Sequence, residues 1–153
     1  DVIVGLRSNL KRDVTLAQTI DFITNDIPAG ATVAALPEGI MLNYQARRVN
    51  PTGFINLMPP ELEMFGEESI IRSFAAQPPD YVLLVHKETK EYGVGFFGSD
   101  GYGEQIMHWV TEHYTPVQTL GAEPLRTKEF GVKILRRNKL PAGTRDRPAL
   151  TMN

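Results

Sequence analysis

Apolar residues in this chain fall into two kinds of pattern, short unbroken runs and helical stripes. Two runs stand out, Thr32-Val33-Ala34-Ala35-Leu36 and Tyr81-Val82-Leu83-Leu84-Val85. Pro28-Ala29-Gly30 and Pro37-Glu38-Gly39 bound the first, and Pro78-Pro79 precedes the second. Short apolar runs between turn signals predict strands buried on both faces. Elsewhere the apolar period is that of a helix. Leu16, Ile20, Ile23 and Ile27 recur on one face, and Thr15 with Gln18 has capping-box spacing, Asp13 being an alternative cap. A helix is therefore expected to start there, after a short strand or arm over residues 2–6 and a polar, basic linker over residues 8–12.

Residues 40–48 suit a short helix that Asn50-Pro51-Thr52-Gly53 breaks, and residues 54–58 a short extended piece. A second long helix is expected over residues 61–77. Pro60 suits its first turn, Glu61 and Glu63 its positive end, and Leu62, Phe65, Ile70 and Phe74 the core, with Gly66 weakening the middle. A glycine-rich loop over residues 87–103 leads to a third helix over residues 104–113, with Ile106, Trp109 and Val110 inward. Residues 116–120 and 131–136 read as strands of a hairpin-like ribbon. The order predicts an α/β fold: a three-layer sandwich whose mixed sheet has a parallel centre and an antiparallel C-terminal ribbon. The two apolar runs are expected to be adjacent parallel strands, since the helix between them allows a right-handed crossover. The domain would cover residues 13–138, with residues 1–12 an arm from a preceding region and residues 139–153 a mobile tail.

Composition narrows the picture only a little. The chain has 153 residues, 42% hydrophobic and 22% charged, which fits one globular domain. A formal net charge of -2 demands no nucleic acid as partner. The absence of cysteine excludes disulfides and thiolate metal sites. No apolar run approaches the length that spans a bilayer. The chain opens on Asp1-Val2-Ile3-Val4, without an initiating methionine or a signal pattern, so it is expected to be a fragment or a processed product.

Candidate chemistry gathers after the two apolar runs. If these strands are parallel, the loops that follow them meet on one edge, where ligands bind in open α/β sheets. Asn43, Tyr44, Arg47, Arg48, Asn56, Glu61 and His86 would then share one surface. Arginine forks suit phosphate or carboxylate, and Asn and Tyr suit sugar hydroxyls. The alternative is that Arg47 and Arg48 are loop charges paired with Glu38 or Glu61. Glu38 and Glu61 can be read as an acid–base pair, or more simply as a turn residue and a helix-start residue. His86 and Lys87 end the second run and can serve a site or merely brace a loop. Glu104, His108 and Glu112 share one helix face, better read as a solvated ion-pair face than as metal ligands. The segment 98–103 can hold an anion or cap a helix. Its aromatic neighbours Tyr92, Phe96, Phe97 and Tyr102 can meet a sugar or the membrane interface, or anchor the loop to the core. No metal site, cofactor or catalytic residue is expected.

Several motifs resemble a known family. They are Leu36-Pro37-Glu38-Gly39 with Leu42-Asn43-Tyr44, Arg47-Arg48-Val49-Asn50-Pro51, and Asn56-Leu57-Met58-Pro59-Pro60-Glu61. Pro78-Pro79-Asp80-Tyr81-Val82, His86-Lys87 and Phe130-Gly131-Val132-Lys133-Ile134-Leu135-Arg136-Arg137 complete the set. Together, over residues 15–137, they resemble the water-exposed C-terminal domain of bacterial family-39 membrane glycosyltransferases, related to dolichyl-phosphate-mannose–protein mannosyltransferases. The resemblance implies a lipid-phosphate-linked sugar donor and a catalytic acid in a loop between membrane helices, outside this chain. It implies a non-catalytic, extracytoplasmic (periplasmic) domain, anchored through a preceding membrane region. Its partners would be the membrane portion of its own chain and a lipid-phosphate sugar or glycan acceptor. The alternative is a self-contained α/β enzyme or binding module for a phosphorylated or glycosylated ligand.

Overall fold

The computed structural model describes residues 2–99 and 101–138. In chain order the elements are α1 (Val2–Asp26), β1 (Val33–Leu36), α2 (Ile40–Ala46), α3 (Pro59–Phe65), α4 (Glu67–Ala76), β2 (Tyr81–Val85), α5 (Glu104–His113), β3 (Tyr114–Gly121) and β4 (Gly131–Arg137). The two apolar runs form β1 and β2, paired in parallel with Ala34 opposite Val82 and Leu36 opposite Leu84. They lack polar alternation because helices cover both faces. On one face Val33, Ala35, Leu83, Val85, Val132 and Ile134 pack on Ile23 and Ile27 of the α1 end and on Leu42 and Ala46 of α2. On the other, Ala34, Leu36, Val82, Leu84 and Leu135 meet Ile70 and Phe74 of α4 and Ile106 and Val110 of α5. The result is the expected three-layer α/β sandwich around a mixed sheet.

The strand order is β1-β2-β4-β3. β4 is antiparallel to both β2 and β3, so the ribbon is present as expected. The parallel pair, however, lies at one end of the sheet, and the central pair β2–β4 is antiparallel. The reason lies in the segment after α2, which closes the outer edge of β1. The Val33 N–H donates to Val49 O at 2.9 Å and the Leu57 N–H to Pro37 O at 2.7 Å. The ribbon can therefore add only beside β2.

α1 departs most from the sequence expectation. Residues 2–12 are neither a strand nor a linker but the first half of one continuous helix. They contain no proline, and Leu10, Lys11 and Arg12 are good helix formers. Their polar character is that of an exposed helix: every residue from 2 to 14 is exposed, and burial starts at Thr15. Thr15 is not an N-cap. Its hydroxyl donates back to Lys11 O at 3.0 Å, and that of Thr19 to Thr15 O at 2.7 Å, both within the helix. The helix expected over residues 61–77 is two, α3 and α4. Gly66 divides them at φ 76, ψ 145, a conformation other residues rarely adopt. The α3 start keeps the expected prolines and places Glu61 in its first turn. α5 has the expected bounds, with Trp109 half-buried against Phe74. The tail expected to be mobile, residues 139–153, lies outside the described residues.

Leu83 is fully buried in the layer beneath α1 and α2. Leu83→Ala should lower unfolding stability by about 2–5 kcal/mol, read by chemical denaturation. A change within about half a kcal/mol would mark an exposed position instead.

Candidate functional site

Because β1 and β2 are parallel, the chain leaves both on one edge of the sheet. β1 exits through a cis Leu36–Pro37 peptide into Glu38 and Gly39, and β2 into His86 and Lys87. A Cβ on Gly39 would lie 2.6 Å from the Ala35 Cβ, so only glycine lets the turn fold back this tightly on β1. Between the two exits lies an open groove of about 640 Å³. Glu38, Asn56, His86 and Lys87 supply polar groups to its lining, and α1 contributes Arg12 and Leu16. Ile40, Met41, Ile55 and Phe130 supply apolar walls. The Lys87 ammonium pairs with the Glu38 carboxylate at 2.8 Å. A short antiparallel bridge joins Glu38 to Asn56 and holds the far wall in place.

His86 is the most enclosed polar residue of the groove, 8% exposed. Its Nδ1 accepts the Leu125 N–H at 3.1 Å, which leaves the ring hydrogen on Nε2. Nε2 is buried and has no hydrogen-bond partner among the described residues. The ring also rests against Phe96 and Phe130, with centroids 5.3 and 6.2 Å away. Burial pushes its pKa below the ordinary value of 6.5, opposed by the charges of Glu88 and Glu129. At neutral pH it is a neutral hydrogen-bond donor.

The remaining predicted residues divide between several places. Asn43 is buried, and its Nδ2 donates to Val33 O at 2.7 Å and to Arg48 O at 3.0 Å. Arg48 turns back to α1, where one guanidinium nitrogen donates to Ile23 O at 2.9 Å and Ile27 O at 3.0 Å. It thereby caps carbonyls that the helix end leaves open. Asn50 braces its own turn through Thr52 and Phe54. Arg47 closes α2 in the left-handed conformation, φ 54, and Tyr44 stands in solvent. Neither arginine pairs with Glu38 or Glu61; the charge partner of Glu38 is Lys87. Asn43, Tyr44, Arg47 and Arg48 line a second hollow of about 680 Å³, bordered like the groove by Ile40 and Gln45 of α2. The seven candidates thus do not converge on one hollow. Asn56 and His86 line the groove, four residues line its neighbour, and Glu61 lines neither.

Glu61 lies on the other side of the β1 exit, close to Tyr102. The Tyr102 hydroxyl donates to Leu57 O at 2.7 Å. Its pKa is raised well above 10, first by burial and then by the charges of Glu61 and Glu38. One Glu61 oxygen is buried without a hydrogen-bond partner among the described residues. Phe97 and Tyr102 are buried edge-to-face, so these two aromatics anchor their loop to its own core. On α5, the exposed His108 Nε2 lies 3.1 Å from a Glu112 carboxylate oxygen, as the i, i+4 spacing suggests. Among the described residues no group of three His, Asp or Glu is placed to hold a metal ion. Sequence reasoning missed Arg12 and the apolar rim of Ile40, Met41 and Ile55. Reading residues 8–12 as a linker removed the helical phase that brings Arg12 to the groove. No protein-family model, curated protein or solved structure matches the chain.

The sign of the His86 effect on stability follows from its environment. The fold depresses its pKa, so as pH falls below 6.5 the unfolded chain takes up the proton first and the folded state loses stability. His86→Asn keeps an acceptor for the Leu125 N–H and removes this titration. Denaturation at about pH 7.5 and about pH 5.5 should show a smaller acid loss in the variant than in the parent chain. Equal losses would mean that His86 titrates alike folded and unfolded.

Proposed function

We propose that this chain is a non-catalytic domain of a multispanning, glycosyltransferase-like membrane protein. In this reading it stands on the extracytoplasmic face of the bilayer and helps to position a lipid-phosphate-linked sugar or its acceptor. The observation that carries the reading is the free half of α1. Val2, Ile3, Val4, Leu6 and Leu10 are each between 62% and 79% exposed. Successive helical residues are turned by about 100°, so Val2, Ile3, Leu6 and Leu10 share one face about 100° wide, and Val4 lies about 100° beyond it. An apolar stripe this exposed needs an apolar partner or medium to cover it, and the bilayer interface is one. Arg7, Lys11 and Arg12 follow, and residues 2–12 contain no acidic side chain. An apolar tip with a cationic collar is suited to the lipid interface, where long basic side chains reach the phosphates. No helix among the described residues is long and apolar enough to cross a membrane.

The motif resemblance supports the same assignment and puts the transferase chemistry in membrane loops outside this chain. The alternative of a self-contained enzyme or binding module draws on the buried atoms of His86 and Glu61 that have no hydrogen-bond partner among the described residues, since such atoms call for an explanation and a role at a site is one.

Sedimentation with vesicles tests the membrane reading. The chain should bind phosphatidylglycerol-containing vesicles, bind pure phosphatidylcholine vesicles less, and release as salt rises. Ile3→Glu with Leu6→Glu should abolish binding and leave the fold intact, because both side chains are exposed. No binding to either vesicle, or binding that the double variant retains, would contradict the proposal.

A further inference from the structure

We infer that the groove at the exits of β1 and β2 binds an amphiphile, with an oxyanion head beside Asn56, His86 and Lys87 and an apolar chain along Ile40, Met41 and Ile55. This deepens the positioning role proposed above and rests on it only for where the amphiphile comes from. The chemistry of the head follows from which polar groups the groove leaves free. The Asn56 Oδ1 already accepts the Met58 N–H at 2.9 Å, so its amide has hydrogens to offer. His86 accepts at Nδ1 and so carries its hydrogen on Nε2, a buried atom without a partner among the described residues. Lys87 has three ammonium hydrogens and a single carboxylate partner, Glu38. Arg12 adds a guanidinium, loosely paired with Asp13 at 3.9 Å, and Glu38 is the only acidic residue in the lining. The walls thus offer hydrogens and positive charge, and a ligand has to offer lone pairs. Oxyanions make the strongest such bonds.

The apolar part follows from the rim. Ile40, Met41 and Ile55 line the groove yet stay among the exposed large apolar side chains of the domain. A purely ionic ligand would leave them in water; an alkyl chain would cover them. The position of the groove favours a membrane amphiphile as that ligand. Arg12 belongs both to the cationic collar of α1 and to the groove wall. Eight residues separate it from Val4, about 12 Å along a helix. A head held beside Arg12 would have risen only that far from the apolar tip.

Titration of the chain with decyl phosphate, followed by amide shifts in NMR, tests the inference. Decyl phosphate below its micelle concentration should give saturable shifts at Asn56, His86, Lys87 and Ile40. Inorganic phosphate and decanol should each bind at least about tenfold more weakly, since each supplies half of the contact. A decanoate arm separates phosphate monoesters from carboxylates as the natural head. Lys87→Gln should weaken decyl phosphate binding about tenfold, whereas Glu38→Gln, which frees Lys87, should strengthen it severalfold. Both side chains are more than a third exposed, so the variants keep the fold, and opposite signs cannot come from a shared structural defect. Shifts centred on Arg47 and Arg48, equal binding of decanol, or no saturable shift would overturn the inference. So would two variants that change affinity in the same direction. A chain that sediments with vesicles but gives no saturable shifts loses the groove and keeps the membrane reading. Saturable shifts without vesicle binding keep the groove and remove the membrane reading.

Discussion

The closure of the outer edge of β1 is the constraint on which the rest of the structure depends. An edge strand with both faces buried still exposes a row of peptide groups that invites pairing with another chain. Here the segment that follows α2 takes that place. Asn43 is its fixing point, since one buried amide group bonds Val33 O in β1 and Arg48 O in the segment. Arg48 then reaches the Ile23 carbonyl near the end of α1 and the Ile27 carbonyl just past it. Two side chains thus tie a strand, a helix end and a connecting segment together. With that edge closed, the C-terminal ribbon must join beside β2, which makes the centre of the sheet antiparallel.

The same closure builds the groove. The segment runs on from Asn50 to Met58, and its bridge from Asn56 to Glu38 sets the wall opposite His86 and Lys87. The tight turn at Gly39 keeps α2 close to β1, so Ile40 and Met41 come to the rim instead of the core. α1 completes the site from the other direction. Its second half is held by the core through Ile23, with Ile27 just past its end, and the apolar side chains of its first turns stay exposed. A single helix therefore connects the exposed apolar end with the wall of the groove. Under the proposed function, this helix would couple membrane contact to ligand placement by geometry alone.

Much of the fold was legible in the sequence because both of its strongest signals are local. Tyr81–Val85 and Glu104–His113 have the bounds that their apolar runs and stripes predict. The start of α1 was missed because Val2, Ile3 and Val4 are consecutive apolar residues, which also suits a short strand; the helical spacing of Val2, Leu6 and Leu10 carries the phase, and all of them are exposed. Gly66 was seen as a weak point, but its positive φ, which makes it a break, depends on how α3 and α4 pack. The site was legible as an edge rather than as a set of residues. Asn43 and Arg48 look like ligand-binding groups in a list of side chains. Only three-dimensional placement shows that the Asn43 amide and one Arg48 guanidinium nitrogen already meet backbone carbonyls, while Arg48 Nε is buried without a partner among the described residues. Arg12 was hidden for the opposite reason, since a linker has no phase from which to predict a neighbour.

Native-state hydrogen exchange in Asn43→Ala tests the central claim most directly. The Val33 and Leu57 amides are bonded across the closed edge, and Ile134 lies in the interior of the sheet. If Asn43 fixes the closure, protection at Val33 and Leu57 should fall by about 1–3 kcal/mol more than at Ile134. Protection that falls equally at all three amides, or does not change at Val33 and Leu57, would contradict the account.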